Sequence, residues 1–239
     1  MERVSIIEGK KPILFVSPHV PEEIHTDVIA VELADATNGY AVINRGWERS
    51  EHVDQFNDKA NCNDIAHCLE DVVKDEFLDP IMKFTSRLVK NHGFCYIINI
   101  HGMGNDIRKQ IKDNVDIVLG YGNGEPPSHT CETWRKDAFT HLLNDCGLLT
   151  YQAKAKGKYS ARRKNNLTQL FRQWPFVRPA IHTAAVQAFQ LEIVLDMRKY
   201  EDIAELTADM ISMAVNDLMD FDENPYTSIE EQTLGILEC

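Results

Sequence analysis

Short apolar runs alternate along the chain with stretches whose apolar residues recur every three or four positions. The first run, ILFVS from Ile13 to Ser17, predicts a buried strand. Thr26 then serves as the N-cap of a helix that stops near Asn38-Gly39, and Tyr40 to Ile43 forms a second short strand. Asn63 can cap a helix carrying Ile65, Leu69, Val72 and Val73, and Pro80 divides it from another helix reaching Lys90. The run FCYIINI, Phe94 to Ile100, is the clearest buried strand. Further strands are expected at Val115–Leu119, Leu148–Gln152 and Phe189–Leu195. Helices are expected from Cys131 to Asn144 and from Glu201 to Met219, the latter with Ile203, Leu206, Met210, Ile211, Met213 and Ala214 on its buried side. The tail from Asp222 reads as irregular. Alternation of strand and helix throughout, without repeats or a linker, predicts one α/β domain over residues 1–239. Its sheet is mixed and mainly parallel, flanked by helices. In such folds, sites form at the carboxyl ends of strands.

Composition narrows this picture. The 239 residues are 44% hydrophobic and 26% charged, enough apolar surface to bury a core. No apolar run approaches the ~18 residues of a membrane span. The segment MERVSIIEGKKP has neither a long apolar stretch nor a small-residue cleavage site, so a cytoplasmic protein is expected. The six cysteines, at 62, 68, 95, 131, 146 and 239, form no C-x-x-C pair. Reduced thiols are expected, and any metal must use His and carboxylate ligands. A net charge of -12 disfavours nucleic acid and anionic membranes as partners. Against that background KAKGKYSARR, residues 154–163, is strongly basic. It is either a solvated loop or the contact for a specific anion, such as a small carboxylate.

Three features fall at or near strand ends. In SPHVPEE, His19 follows the first strand and Glu22 comes three residues later, with Glu23 an equally reachable carboxylate. Imidazole and carboxylate both suit Zn²⁺. In NIHGMG, His101 ends the strongest buried run and precedes two glycines, which permit close backbone approach. In QAFQLEIVLD, Glu192 interrupts an apolar strand, where a carboxylate needs a partner or a cleft. Each alone also fits a structural residue. Together they have the composition of a catalytic zinc site, two histidines and a carboxylate, with a separate base.

With these motifs in this order, the chain resembles the N-formylglutamate amidohydrolase family, related in fold to zinc carboxypeptidases and aspartoacylase. The resemblance runs from SPH at 17–19 through NIHGMG and VDIVLGYGNG to QLEI at 190–193. It implies His19, Glu22 and His101 as zinc ligands and Glu192 as general acid/base. It further implies hydrolysis of the amide bond of a small anionic N-acyl amino acid such as N-formylglutamate. The family's arginine-bearing segment corresponds to RSEHVDQFND, which supplies Arg49 for the oxyanion and Asn57 for substrate. Asp58 stands where the family has an arginine, so Arg45, Arg162 and Arg163 are candidates for the substrate carboxylate. A zinc carboxypeptidase, a cell-wall peptide amidase and a non-catalytic binding module on the same fold remain alternatives. GYGNGEPP, at 120–127, lacks the GK[ST] ending of a phosphate loop and reads as a turn. His182 could approach the cleft.

Overall fold

The structure is a computed structural model and describes residues 2–111, 113–123, 128–155, 157–174 and 185–223. Seven strands form one sheet: β1 (Val4–Ile7), β2 (Ile13–Ser17), β3 (Tyr40–Asn44), β4 (Cys95–Met103), β5 (Ile117–Gly120), β6 (Thr150–Gln152) and β7 (Val186–Val194). Their order is β1-β3-β2-β4-β7-β5-β6. The central strands β3, β2, β4 and β7 run parallel, while β1 is antiparallel to β3 and β5 to β7. This is the mixed, mainly parallel sheet expected. The helices are α1 (Thr26–Thr37), α2 (Ile65–Cys68), α3 (Asp71–Val73), α4 (Asp79–His92), α5 (Ile107–Ile111), α6 (Thr133–Asp145), α7 (Leu170–Gln173) and α8 (Glu201–Glu223).

Strand alternation sorts side chains onto the two faces of the sheet. Phe15, Ile43, Tyr96, Ile98, Phe189 and Leu191 meet α1, α6 and α8 on one face. Leu14, Val16, Val42, Cys95, Ile97 and Ala188 meet α4 and the segment before it on the other. That second face changes character along the strands. On β4 the sequence Cys95, Ile97 continues as Asn99, His101; on β7, Val186, Ala188 continues as Gln190, Glu192. The two strands pair in register, Asn99 beside Gln190 and His101 beside Glu192. An apolar floor therefore becomes a polar patch at the carboxyl ends of adjacent parallel strands.

Several elements differ from expectation. β4 continues through His101 to Met103, because β7 pairs with it along its whole length, so His101 lies within the strand. The single helix expected after Asn63 is broken into α2, α3 and a π-turn at Lys74–Leu78 before α4. Asp64, not Asn63, caps α2 by accepting from the Ala66 N–H at 2.9 Å. Pro80 sits in the first turn of α4, directly after the π-turn. β1 had no clear signal, being a four-residue edge strand in which Val4 alone is buried. Helix α8 runs on to Glu223; the rest of the tail, part of GYGNGEPP and His182 lie outside the described residues. Among the described residues the five cysteines are free thiols, and no helix is long and apolar enough to cross a membrane.

Candidate metal centre and catalytic cleft

The loop after β2 makes a tight turn in which Glu22 and Glu23 N–H groups both donate to the His19 carbonyl, at 3.0 and 2.8 Å. That turn folds Glu23 back toward the sheet. His19 Nδ1 lies 3.1 Å from Glu23 Oε1, and His101 Nδ1 lies 3.3 Å from Glu23 Oε2. The two imidazole rings meet edge to face with centroids 5.1 Å apart. His19, Glu23 and His101 each offer one ligand atom, all within 4.8 Å of one another. The Gly102 N–H donates to Glu23 Oε2 at 2.8 Å and fixes the carboxylate.

Glu23, not Glu22, is thus the carboxylate brought to the histidines. Glu22 points away along the loop, where its Oε1 accepts from the Arg49 N–H at 2.5 Å. The reason is local: the turn that puts Glu23 over β4 turns its neighbour outward.

The donor set fits a divalent cation. His19 Nε2 lies 3.0 Å from Asn61 Oδ1, an oxygen that also accepts from the Asn63 N–H. His19 therefore faces an acceptor on both ring nitrogens, whereas a neutral imidazole has one N–H. With the N–H directed at Asn61, the Nδ1 lone pair and the Glu23 carboxylate face each other, an arrangement that a cation between them satisfies. His101 likewise turns Nδ1 to the carboxylate, and its buried Nε2 has no hydrogen-bond partner. Two His nitrogens and a carboxylate are ligand types for zinc.

Electrostatics follow from burial. Burial by itself would raise the Glu23 carboxyl, but the charges and hydrogen bonds of His101 and His19 outweigh it and hold it well below the usual carboxylate range. Burial lowers His101, partly offset by Glu23. Glu192 is pushed up to about 8, first by burial and then by the Glu23 charge. Gln190 Nε2 donates to Glu192 Oε1 at 2.7 Å, and Asn166 Nδ2 donates to Gln190 Oε1 at 2.9 Å. This relay holds Glu192 in its rotamer.

A cleft of about 530 Å³ opens above these groups. His19, Glu23, His101 and Glu192 lie at its floor, and Arg49, Lys158, Arg162 and Arg163 line it. Arg49, Arg162 and Arg163 are therefore where an anionic ligand could meet them. Arg45 and Asn57 do not line the cleft. Arg45 pairs with Asp27 and donates from Nε to Ser5 Oγ at 3.1 Å. Asn57 is tied to Asp54 in an exposed turn, its Nδ2 donating to Oδ2 at 2.5 Å. Nearby acids thus claim both residues. Trp47 is fully buried in the core, its Nε1–H donating to Glu76.

The residue reading missed Asn61, Lys158, Gln190 and Asn166. Gln190 carried a signal: it precedes Glu192 by two, so it shares that residue's face of β7. Lys158 belongs to the basic segment 154–163, whose charge was its signal; Asn61 carried none, being brought in by a loop.

No protein-family model matches the chain, and no curated protein matches it. Solved structures do. N-formylglutamate amidohydrolase from Ralstonia eutropha aligns over 94% of this chain and 100% of its own, with TM-score 0.56 at 14% identity. A bacteriophage poly-gamma-glutamate hydrolase aligns over 91% and 89%, with TM-score 0.54 at 15% identity. A metallo-carboxypeptidase from Burkholderia cenocepacia aligns over 92% of this chain and 66% of its own, with TM-score 0.53 at 11% identity. At such identities the likeness is one of fold, and the chain has the fold shared by N-formylglutamate amidohydrolase and metallo-carboxypeptidase.

Proposed function

We propose that the protein is a zinc-dependent amidohydrolase that cleaves the amide bond of a small anionic N-acyl amino acid, such as N-formylglutamate. The observation that carries this reading is the convergence of His19, Glu23 and His101 at the carboxyl ends of β2 and β4, with the buried Glu192 opening into the same cleft. The fold likeness to an N-formylglutamate amidohydrolase supports it.

His19, Glu23 and His101 would hold the metal. Zinc in such a set supplies a Lewis acid that acidifies water and polarises a carbonyl oxygen. Glu192, buried at the cleft, takes the proton of the attacking water and passes it to the leaving nitrogen. The water oxygen bonds to the carbonyl carbon and the carbon–nitrogen bond breaks, so the products are a carboxylic acid and a free amine. Arg49, at the cleft wall, is placed to offset charge developing on the carbonyl oxygen. Arg162 and Arg163, with Lys158, hold the substrate carboxylate. An acidic γ-glutamyl peptide presents the same charge, and the likeness to a poly-gamma-glutamate hydrolase makes it the second substrate to try.

The test is a hydrolysis screen of N-formyl, N-acetyl and γ-glutamyl amino acids, run with zinc removed and restored. Zinc-dependent release of amine from acidic members is expected. No turnover of any member by protein with stoichiometric zinc would sink the reading.

A further inference from the structure

Arg198 lies beneath the cleft and is 5% exposed. Its Nη1 donates to the Ile24 carbonyl at 2.8 Å, its Nε to the Ile193 carbonyl at 3.1 Å and its Nη2 to the Met103 carbonyl at 3.3 Å. Ile24 directly follows Glu23, Ile193 directly follows Glu192, and Met103 is two residues past His101. One planar guanidinium thus grips the backbone next to a carboxylate ligand, a histidine ligand and the proton-transfer acid.

Two further contacts make this grip specific. The Arg198 carbonyl accepts from His25 Nδ1 at 2.9 Å, so the Glu23–His25 turn is held from two sides. His25 takes a left-handed conformation, φ 59°, immediately before α1 begins. Gly102 lies flat against the guanidinium: a Cβ there would stand 2.2 Å from Arg198 Cζ. The same Gly102 donates its N–H to Glu23. All three side-chain bonds of this buried cation go to carbonyl dipoles, and the Glu23 carboxylate is the first charge that offsets its burial. Arg is suited to the task because its five N–H donors form a rigid fork, which lysine lacks.

We propose that Arg198 is the positioning residue of the site: by binding the main chain beside Glu23, His101 and Glu192, it sets the spacing of the metal ligands and the aim of Glu192. The inference rests on the metal reading above, and it predicts a property of the ligand cage that does not depend on knowing the substrate.

The experiment compares wild type with Arg198→Lys. Zinc affinity is read by chelator competition, ligand geometry by the visible absorption of the Co²⁺-substituted protein, and folding by thermal melting. Arg198→Lys should fold, bind zinc 10–100-fold more weakly, as for lost outer-shell support, and show shifted Co²⁺ bands. A purely structural arginine would lower the melting temperature and leave the affinity and spectrum of the folded protein unchanged; that result overturns the proposal. Should Arg198→Lys not fold, Gly102→Ala displaces the guanidinium while keeping its charge, and the same two readouts decide. If neither variant folds, Arg198 serves the fold and the proposal falls. Wild-type protein that takes up no zinc would remove the metal reading and this inference together, whereas tight zinc binding by both wild type and Arg198→Lys removes this inference alone.

Discussion

Glu22 and Glu23 are adjacent in sequence and opposite in surroundings, which makes them the sharpest residue-scale test. Glu23→Gln should lose zinc, because the proposed site has three protein ligands and two would remain. Glu22→Gln should retain it, since Glu22 only accepts from the Arg49 main chain. Elemental analysis of folded protein reads both, and full zinc in Glu23→Gln would refute the ligand set. Glu192 has two consequences. Glu192→Gln keeps shape and removes basicity, so turnover should fall ~10²–10⁴-fold while zinc stays bound. The second concerns stability of the metal-free protein. The folded carboxyl binds its proton up to about pH 8, against a normal value of 4.5. Its contribution to stability is therefore complete below 4.5 and is lost as pH rises toward 8, with a slope of up to about 1.4 kcal/mol per pH unit. Glu23 has the opposite sign: held low, it stabilises above its normal range and ceases to do so in acid. Urea midpoints of wild type should fall more steeply than those of Glu192→Gln between pH 5 and 8. Parallel profiles would mean that Glu192 is not desolvated.

At the scale of elements, the cleft divides labour between the sheet and its loops. The strands β4 and β7 present His101 and Glu192 from rigid, fully paired backbone, suited to chemistry that tolerates little displacement. The cations come from loops. Residues 157–166 are pinned without regular structure: Gly122 and Asn123 N–H groups donate to the Ser160 carbonyl, and Gln169 Nε2 donates to the Ala161 carbonyl at 2.6 Å. Arg162 and Arg163 are exposed on that loop, so their truncation should leave the fold intact and raise KM for a carboxylate substrate. Arg49→Ala should instead lower kcat, by ~10²–10³-fold for one lost oxyanion donor. Steady-state kinetics on an acidic substrate and its neutral amide separate the two roles. Equal kcat/KM for both substrates would exclude a carboxylate subsite on this loop.

For the whole molecule, the net charge of -12 and the basic cleft wall act at different ranges. The acidic surface disfavours general anion binding, while the proposed role of the local cations at the cleft is to favour an anion that reaches it. In the proposed site zinc would tie together two segments far apart in sequence, the loop after β2 and strand β4, so its removal should loosen the molecule as a unit. With free zinc at 100 times Kd, binding stabilises by about 2.7 kcal/mol. For a chain of this size that lowers the melting temperature on chelation by roughly 5–11 °C. His19→Ala or His101→Ala should melt at one temperature with or without zinc. A zinc-dependent shift surviving in both would place the ion elsewhere.

The sequence alone determined the sheet's central strands, because β2, β3, β4 and β7 are buried on both faces and β2, β3 and the first half of β4 read as nearly continuous apolar runs. It also determined His19, His101 and Glu192 as candidates, since a titratable group at or within such a run stands out against its neighbours. Tertiary structure decided everything that depends on where a loop turns. Two consecutive glutamates are equivalent in sequence, and a single turn after β2 separates ligand from bystander. Arg45 and Asn57 fit substrate contacts by position in the sequence, but the fold sets Asp27 and Asp54 beside them, because ion pairs and turn bonds depend on spatial neighbours. Arg198 gave no sequence signal at all. Its partners are main-chain carbonyls, which every residue carries, and only the folded chain brings those beside Glu23, His101 and Glu192 to one guanidinium.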